Sequence, residues 1–340
     1  MQISNLDFDP TCNYYADYCE SIDGSRVLVT GGTGFVGKWL VESLIQISRQ
    51  FKLKIEIVVT TRDLNKTKNL FSNHPNLSIV ELDLTSSFQS LGEFTHIIHA
   101  ASPTSETLPT EAKVMQASLD STKNIIANLN NISAAPVFIH TSSGAVYGIN
   151  RTRSTQQSLR TRSSLIEKPK NFLEEYQNAK IKTEEYIELN NSVGKINGIN
   201  ARLFAFYGPY LSTNSHYAIG NFMQSAVTGR VIEVKSLGES YRSYMHASEL
   251  ACQLIYLMSN SRTINCDIGS DFSKPISWWA NYVGELFDSK VKILGEIEEV
   301  PTYYFPNSNL EIPKLEYARN NMDLQFIQWF DWLKLNLKIS

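Results

Sequence analysis

The chain has only four cysteines in 340 residues. Cys12 and Cys19 lack the CxxC spacing of a zinc or redox motif, and Cys252 and Cys266 do not complete such a site. A disulfide-stapled secreted scaffold and a structural zinc domain are therefore not expected. We predict reduced structural thiols, no bound metal and a cytoplasmic location, because disulfides persist mainly in oxidising compartments.

Long apolar runs and a strong net charge are also missing. No apolar run approaches the ~20 residues that cross a bilayer, and MQISNLDFDP at the start lacks the basic and apolar parts of a secretory signal. A net charge of −3 creates no field that would attract nucleic acid or an acidic membrane. We therefore predict a globular protein with neither nucleic acid nor a membrane as its partner.

A glycine-rich turn stands between a short apolar strand and an amphipathic helix. Residues 26–39 read RVLVTGGTGFVGKW, with Gly31, Gly34 and Gly37 in GxxGxxG spacing. Glycine permits a positive φ and close approach of the backbone to a pyrophosphate, and a helix N-terminus attracts that anion. The pattern predicts a dinucleotide-binding βαβ unit. The residues expected to contact the cofactor here are Gly31, Thr33, Gly34, Phe35 and Val36.

The second predicted strand, residues 54–60, ends just before Arg62 and Asp63. An acid at the tip of this strand holds the adenosine ribose hydroxyls in dinucleotide-binding domains. Asp63 favours NAD, whereas Arg62 could accept the 2′-phosphate of NADP, and the sequence leaves both open.

Two further strand ends are expected to contact the cofactor. Residues 77–82 are followed by Asp83 and Leu84, where the aspartate can accept a hydrogen bond from the adenine amino group. Residues 96–102 form a fourth predicted strand whose small side chains would let the backbone lie against the cofactor. These small residues are Ala100, Ala101 and Ser102. His99, in the same strand, is interpreted as a packed residue rather than a catalytic one.

A fifth predicted strand, residues 136–141, delivers Ser143 to the edge of the sheet where ligands bind. Residues 150–170 are polar, with four arginines, and predict a loop. A lid that meets substrate phosphates and a solvated surface loop are equally compatible with this composition.

The helix predicted for residues 171–190 places Tyr176 and Lys180 on one face, since they are four residues apart. A nearby ammonium would lower the pKa of the tyrosine, which makes Tyr176 a candidate general base for a sugar or alcohol hydroxyl. Lys180 can also bind the cofactor ribose, and Ser143 would hydrogen-bond the same substrate oxygen as Tyr176. Together they would polarise a C–OH group as its hydride leaves for a nicotinamide ring.

Four motifs together resemble the extended short-chain dehydrogenases/reductases, and within them the NAD-dependent epimerase/dehydratase family that acts on nucleotide sugars. They are TGGTGFVG, the strand end at Ser143 followed by VYG, YxxxK, and RLFAFYGP. The resemblance spans residues 26–335. It implies a doubly wound, Rossmann-type parallel α/β sheet of about seven strands with a smaller C-terminal substrate-binding lobe. It also implies NAD as cofactor and the triad Ser143, Tyr176 and Lys180.

The domain limits and partners follow from this resemblance. We predict an N-terminal extension at 1–25, a Rossmann domain at 26–207, and a mainly substrate-binding lobe at 208–340 that can cross back to the first domain. A homodimer joined through the helices near 110–131 and 171–190 is implied, with a nucleotide sugar as substrate.

The chain departs from the family beside the catalytic serine. Gly144 and Ala145 stand where sugar 4,6-dehydratases carry Asp-Glu and UDP-glucuronate decarboxylases carry Glu. Neither residue can transfer a proton. The departure favours a 4-epimerase, or a C4 dehydrogenase/reductase, over a dehydratase, although Glu106 or Glu111 could substitute for the missing acid. A dinucleotide-binding scaffold without catalysis is a third hypothesis, against which the intact triad argues.

The expected substrate contacts continue into the C-terminal half. Ser143 and Gly144 would meet the sugar, while Asn221 matches an asparagine that meets the diphosphate in related enzymes. Arg242 lies in a stretch that resembles the family's RxFxxV and is the candidate bidentate diphosphate clamp. Ala205 stands where the family often carries an asparagine, so that amide contact is missing.

Overall fold

The computed structural model describes residues 16–67, 70–89, 91–102, 113–129, 134–148, 151, 162–213, 217–259, 264–297, 300–306 and 321–338. Several predictions fall outside these ranges. They concern Cys12, Glu106, Glu111 and most of the arginine-containing loop, residues 152–161.

The described strands are β1 (Arg26–Thr30), β2 (Glu56–Thr61), β3 (Leu77–Glu81), β4 (His96–His99), β5 (Val137–Ser143), β6 (Asn197–Leu203), β7 (Phe206–Tyr207), β8 (Ile232–Ser236), β9 (Tyr241–Ser243), β10 (Met245–His246), β11 (Asn265–Ile268), β12 (Ser273–Pro275), β13 (Val291–Ile297) and β14 (Tyr303–Tyr304). The helices are α1 (Ala16–Cys19), α2 (Phe35–Gln50), α3 (Lys113–Ala127), α4 (Phe172–Ser192), α5 (Ala218–Val227), α6 (Ala247–Ser259), α7 (Ile276–Leu286) and α8 (Met322–Leu337).

Seven parallel strands form the central sheet, in the order β11-β6-β5-β4-β1-β2-β3. The chain leaves β1 in one direction through β2 and β3, and then continues on the other side of β1 through β4, β5 and β6. The predicted doubly wound, Rossmann-type α/β sheet is thus confirmed. The direction of winding reverses between β1 and β4, and the carboxyl ends of strands at such a point border a ligand crevice.

Alternate residues of β1 and β2 enter different cores, because side chains of a strand point alternately to the two faces. Val27 and Val29 pack with α2 and α6 on one face. Leu28 packs on the other face with apolar residues of α3 and α4 such as Ile126 and Ile187. A sheet covered on both faces by helices needs near-continuous apolar strands, which explains the runs seen in the sequence.

A second core lies in the C-terminal half and is rich in aromatic side chains. Trp279 of α7 and Phe326 and Trp329 of α8 are fully buried there, beside residues of α5 and β8. The chain does not stay in this lobe, since β11 pairs in parallel with β6 at the edge of the central sheet. The proposed boundary at residue 208 stays a prediction, and the return through β11 agrees with the expected crossing back.

The apolar run at residues 197–206, NGINARLFAF, predicts one further strand, and this prediction is wrong. β6 ends at Leu203, and the separate strand β7 pairs with β10 instead of with the central sheet. The Met245 N–H donates to the Ala205 carbonyl at 3.0 Å, so the backbone changes partners at this point. Strands β9, β10, β12 and β14 have only two or three residues, which is too short for a sequence periodicity to reveal.

None of the helices within the described ranges is long and apolar enough to cross a membrane.

We expect Gly31→Ala to lower the free energy of unfolding by about 1–3 kcal/mol more than Gly194→Ala, because overpacking adds to the backbone strain. Both glycines have similar positive φ angles, +68° and +72°. A Cβ at Gly31 would stand 2.7 Å from the Ala101 Cα, whereas one at Gly194 would meet no atom within 4 Å. Denaturant unfolding of both variants checks the difference, and equal losses would contradict the close approach.

Candidate active site

The glycine turn lies against the end of β4. The Gly31 φ of +68° and the closeness of Ala101 both require a glycine there. The Ala101 N–H donates to the Thr30 hydroxyl at 3.2 Å, which joins the two strand ends. Gly37 is equally constrained, because a Cβ would overlap the Gly31 carbonyl oxygen. The predicted juxtaposition of Gly31 with Ala100 and Ala101 is therefore present.

The start of α2 suits an anionic ligand. Gly34 precedes the helix in an extended conformation and has no side chain to cap it, so N–H groups of the first turn are available to a bound anion. Thr33, Phe35 and Val36 are half-buried around this end of the helix. Across the crevice, the buried Ser102 hydroxyl has no hydrogen-bond partner among the described residues. A backbone cradle and an unsatisfied hydroxyl fit a dinucleotide such as NAD.

Arg62 and Asp63 follow β2 at the same edge of the sheet. The Arg62 side chain is exposed. Asp63 uses one carboxylate oxygen to accept from the Asn65 N–H at 2.9 Å, so this carboxylate caps its own turn. The exposure of Arg62 and the hydrogen bond of Asp63 are compatible with either a ribose hydroxyl or a 2′-phosphate as the ligand.

Asp83 and Leu84 follow β3. Hydrogen bonds from the Thr85 N–H and hydroxyl, at 3.0 and 2.8 Å, hold the Asp83 carboxylate. These bonds and the nearby Arg62 charge lower the pKa of Asp83. Leu84 is buried in the core beneath the sheet. Asp83 is thus a fixed, ionised acceptor beside the predicted adenine position.

The predicted triad is assembled at the end of β5. Ser143 is the last residue of β5, and its hydroxyl lies near enough to that of Tyr176 on α4 to lower the pKa of the tyrosine. Lys180, one turn further, lies with its Nζ 5.5 Å from the centre of the Tyr176 ring. The same Nζ donates to the Thr141 carbonyl at 2.7 Å. The structure therefore brings Ser143, Tyr176 and Lys180 together as the sequence predicted.

A second tyrosine, which the sequence did not single out, also contacts the serine. The hydroxyls of Ser143 and Tyr304 lie 3.2 Å apart. Tyr304 is in β14, 161 residues further along the chain, and reaches the site because β14 pairs with β9. No local pattern marks it, because a two-residue strand has no recognisable period. Tyr304 joins the candidate site on tertiary structure alone.

The prediction of a lowered Tyr176 pKa is wrong for this structure. Burial of the hydroxyl raises the pKa of Tyr176, the nearby Tyr304 adds to the rise, and the hydrogen bond with Ser143 opposes it. Burial also lowers the pKa of Lys180 to about 8, an effect that Glu184 partly offsets. Loss of hydration disfavours the charged form of each group, and here it outweighs the attraction that the sequence suggested.

A buried carboxylate fastens α4 to the end of the sheet. Glu184, on α4, accepts two hydrogen bonds from Arg202 of β6, from Nε at 3.0 Å and from a terminal nitrogen at 2.7 Å. It also accepts from the Ser142 hydroxyl at 2.5 Å and is contacted by Arg162 at 3.3 Å. Ser142 is thereby turned to Glu184, while its neighbour Ser143 faces Tyr176.

The structure gives a steric reason why no acid follows Ser143. Gly144 is buried, and a Cβ there would stand 2.6 Å from the ring of Phe204. An aspartate at this position would displace the ring. The Ala145 N–H donates to the Ser143 hydroxyl at 3.2 Å, which makes a local turn without a carboxylate.

Arg242 and Asn221, the two predicted diphosphate contacts, have different surroundings in the structure. The Arg242 guanidinium donates to the carbonyl oxygens of Tyr241 and Thr302 at 2.8 and 3.1 Å, and its carbon lies 5.9 Å from the Tyr304 ring centre. Asn221 is exposed on α5. Arg242 is therefore held beside Tyr304, the tyrosine whose hydroxyl contacts Ser143.

The structure supports a packing role for His99. It is buried, and its Nδ1 lies 2.7 Å from the Thr30 hydroxyl. Burial, together with the nearby Lys180, lowers the pKa of His99 to about 3, so the ring is neutral near pH 7. Cys19, Cys252 and Cys266 are buried and are in the reduced form. The described part of the chain contains no group of three His, Cys, Asp or Glu that could hold a metal ion.

Comparison with known proteins gives a consistent result. The model of the NAD dependent epimerase/dehydratase family matches residues 27–268. UDP-glucuronic acid decarboxylase 6 of Arabidopsis thaliana is 25% identical over 272 residues, covering 79% of this chain and 76% of that protein.

Two solved structures share the fold. UDP-N-acetylglucosamine 4-epimerase from Methanobrevibacter ruminantium, in complex with UDP-N-acetylmuramic acid, superposes with a TM-score of 0.74 at 21% identity, covering 92% of this chain and 99% of that one. UDP-glucuronic acid 4-epimerase from Bacillus cereus, in complex with UDP-glucuronic acid and NAD, gives 0.71 at 15% identity, with 92% and 99% covered. At these identities the likeness establishes the fold.

Lys180 should titrate with a pKa of about 8, against 10.5 for an ordinary lysine. Because the unfolded chain then binds this proton more tightly, Lys180 makes the free energy of unfolding rise with pH between these two values. NMR titration of lysine Cε signals should show one resonance that moves near pH 8 and disappears in Lys180→Met. Lys182→Met, at an exposed neighbour, should leave it in place. A Lys180 signal near 10.5 would contradict the burial of its ammonium.

Glu184→Gln should destabilise the fold by about 3 kcal/mol, because it leaves the buried Arg202 charge without its counterion. The matched control is Glu185→Gln, whose carboxylate is exposed and pairs with Lys182 at 2.9 Å. Exposed pairs contribute roughly 0–1 kcal/mol. Denaturant midpoints of the two variants give the comparison, and similar losses would show that Glu184 is not a structural anchor.

Proposed function

Because this chain belongs to the NAD-dependent epimerase/dehydratase family, we propose that it is a nucleotide-sugar 4-epimerase that uses NAD. The observation that carries the proposal is the closeness of Ser143, Tyr176 and Lys180 at the end of β5, with Gly144 in place of an acid. Such a site can take a proton from a sugar hydroxyl and return it, but it has no neighbouring carboxylate to eliminate water.

NAD, when bound, supplies the acceptor and donor of a hydride. The glycine turn and the start of α2 would hold its pyrophosphate, and Ala100, Ala101 and Ser102 would line its path to Ser143. The choice of NAD over NADP rests on the family, since Arg62 and Asp63 leave the ribose pocket open to both.

Tyr176 acts as the general base in this proposal. Its phenolate takes the proton of the sugar C4 hydroxyl while the C4 hydride leaves, which yields a 4-keto sugar. Ser143 donates a hydrogen bond to the same oxygen and opposes the charge that develops there. The keto sugar would then rotate in the site so that its other face receives the hydride. Tyr176 would give the proton back to the C4 oxygen. The raised pKa of Tyr176 disfavours its phenolate form. The positive charge of the Lys180 ammonium acts in the opposite direction and stabilises the phenolate.

Decarboxylation is the second candidate, because the curated relative named above is a decarboxylase. The same C4 oxidation would precede it. The glutamate that decarboxylases carry after the serine is replaced here by Ala145, which weighs against this alternative. A 4,6-dehydratase faces the same objection. A C4 dehydrogenase/reductase would use the same triad but would consume its cofactor.

We also propose Asn221 and Arg242 as diphosphate contacts and a homodimer through α3 and α4. The two helices pack against each other within the chain. The sequence prediction of a cytoplasmic enzyme belongs with this proposal.

Mass spectrometry of ligands that copurify with the protein is the first test. We expect NAD together with a nucleotide sugar. Incubation with nucleotide sugars on UDP, dTDP, GDP and CDP should convert one of them without net change in absorbance at the NADH wavelength. Net NADH production would indicate a dehydrogenase, release of CO₂ a decarboxylase, and bound NAD without any turnover a scaffold.

Tyr176→Phe should lower turnover of the identified substrate by roughly 10²- to 10⁴-fold, because positioned proton transfer is lost. Tyr186→Phe is the matched control on the same helix, since Lys123 lies 6.0 Å from the Tyr186 ring centre, much as Lys180 lies near Tyr176. Steady-state rates of both variants decide the matter. The proposal fails if Tyr176→Phe keeps the rate of the unmodified enzyme.

A further inference from the structure

Arg151 is a buried cation next to the candidate active site. Only 2% of the residue is exposed. Its carbonyl oxygen accepts from the Tyr303 N–H at 2.9 Å, which ties it to β14, the strand that carries Tyr304. Arg151 also follows the turn after β5, the strand that ends at Ser143. Both connections place Arg151 in the neighbourhood of Ser143.

The Arg151 guanidinium has no hydrogen-bond partner among the residues that the structure describes. None of its three nitrogens is bonded to any residue that the structure describes, and no carboxylate there forms a salt bridge with it. Burial lowers the pKa of Arg151 to about 10, so the group is still charged at neutral pH. An unpaired buried charge costs several kcal/mol, and such a group is kept where it has a ligand to bind.

Aromatic rings account for only part of this charge. The Arg151 guanidinium carbon lies 4.8 Å from the Tyr304 ring centre, 5.4 Å from that of Phe204 and 5.9 Å from that of Tyr147. Such contacts attract a cation, but they accept none of its five N–H donors in the way that an oxygen does. Asp267, whose charge acts on Arg151, accepts a hydrogen bond from the Tyr147 hydroxyl at 2.8 Å and forms no salt bridge with Arg151.

The free donors lie beside the reacting end of the site. Tyr304 separates Arg151 from Ser143, to whose hydroxyl Tyr304 is bonded at 3.2 Å. Ser143 is the proposed partner of the sugar C4 oxygen. In a pyranose the diphosphate is on C1, across the ring from C4, whereas C5 and its substituent adjoin C4. The C3 hydroxyl also adjoins C4, but of these two neighbours only the C5 substituent can be an anion, so a charged acceptor near Arg151 would be a substituent on C5.

We propose that Arg151 forms an anion subsite for a carboxylate on the sugar ring, so that the substrate is a nucleotide-linked uronic acid. The inference rests on the proposed function and adds its substrate class. A guanidinium offers a carboxylate two parallel N–H bonds. The three rings hold the fork in place before the ligand arrives, so that little conformational freedom is lost on binding.

The test compares two ligands that differ only at C6, UDP-glucuronate and UDP-glucose. Dissociation constants are measured by calorimetry on NAD-loaded protein in a Tyr176→Phe background, in which the expected slow turnover consumes little ligand during the titration. We expect a preference for the uronate of roughly 10- to 100-fold, the range for hydrogen bonds to charged groups. Arg151→Met should abolish this preference, because methionine keeps the contact with the rings but not the charge.

Two further variants sharpen the comparison. Arg151→Lys keeps the charge but not the planar fork, so its preference should be intermediate. Arg230→Met removes an exposed arginine whose Nε donates to the Thr228 hydroxyl at 2.8 Å, and it should keep the full preference. The ligand-free Arg151→Met protein should have a denaturation midpoint equal to or above that of the unmodified protein, since an unpaired buried charge has been removed.

The results that would overturn the uronate inference differ from the result that would overturn the 4-epimerase proposal. The uronate inference is overturned if the protein shows no preference, if it binds neither compound, or if Arg151→Met weakens both ligands equally. A lower denaturation midpoint of Arg151→Met would assign the residue to packing and would also overturn it. Failure of the 4-epimerase proposal has a different result, in which Tyr176→Phe retains turnover.

Discussion

The buried carboxylate of Glu184 is the interaction on which the rest of the site depends. It joins three elements, because it accepts from Arg202 on β6, from Ser142 on β5 and from Arg162 before α4. Helix α4 carries Tyr176 and Lys180, and β5 carries Ser143. A change of even one hydrogen bond at Glu184 would therefore shift the base relative to the serine. Proton transfer needs these groups within hydrogen-bond reach of one oxygen.

Several charged and polar groups of the site are buried, and their removal from water costs free energy. Burial raises the pKa of Tyr176 and lowers the pKa of Lys180 to about 8, and the Arg151 donors meet no acceptor within the described part of the chain. Each of these groups regains interactions when a cofactor or substrate supplies an opposite charge or an acceptor. The fold thus accepts a loss of stability at positions where a ligand would restore it, as is common for functional sites.

The return of the chain between the two cores completes the site. β11 leaves the C-terminal core to pair with β6, and Asp267 in it accepts from Tyr147 beside Arg151. β14 then brings Tyr304 to Ser143. The central sheet and α4 carry the residues of the proposed triad, and the shorter C-terminal strands β9 and β14 carry Arg242 and Tyr304, which the proposal places near the substrate. Variation in these strands would change the substrate without changing the sheet, since loops and short elements on a rigid scaffold commonly determine specificity.

The sequence by itself determined the glycine turn, most strands of the parallel sheet, and the face shared by Tyr176 and Lys180. These features depend on spacing within a few residues, and hydrophobic period and glycine position report such local geometry directly. It also located Ser143 at a strand end. Only the tertiary structure decided that Tyr304 adjoins Ser143, that Arg151 packs on Tyr304, that β6 stops at Leu203, and that the pKa of Tyr176 is raised. Each of these depends on contacts between residues distant in the chain, because strand pairing and burial are properties of the packed molecule and leave no local pattern.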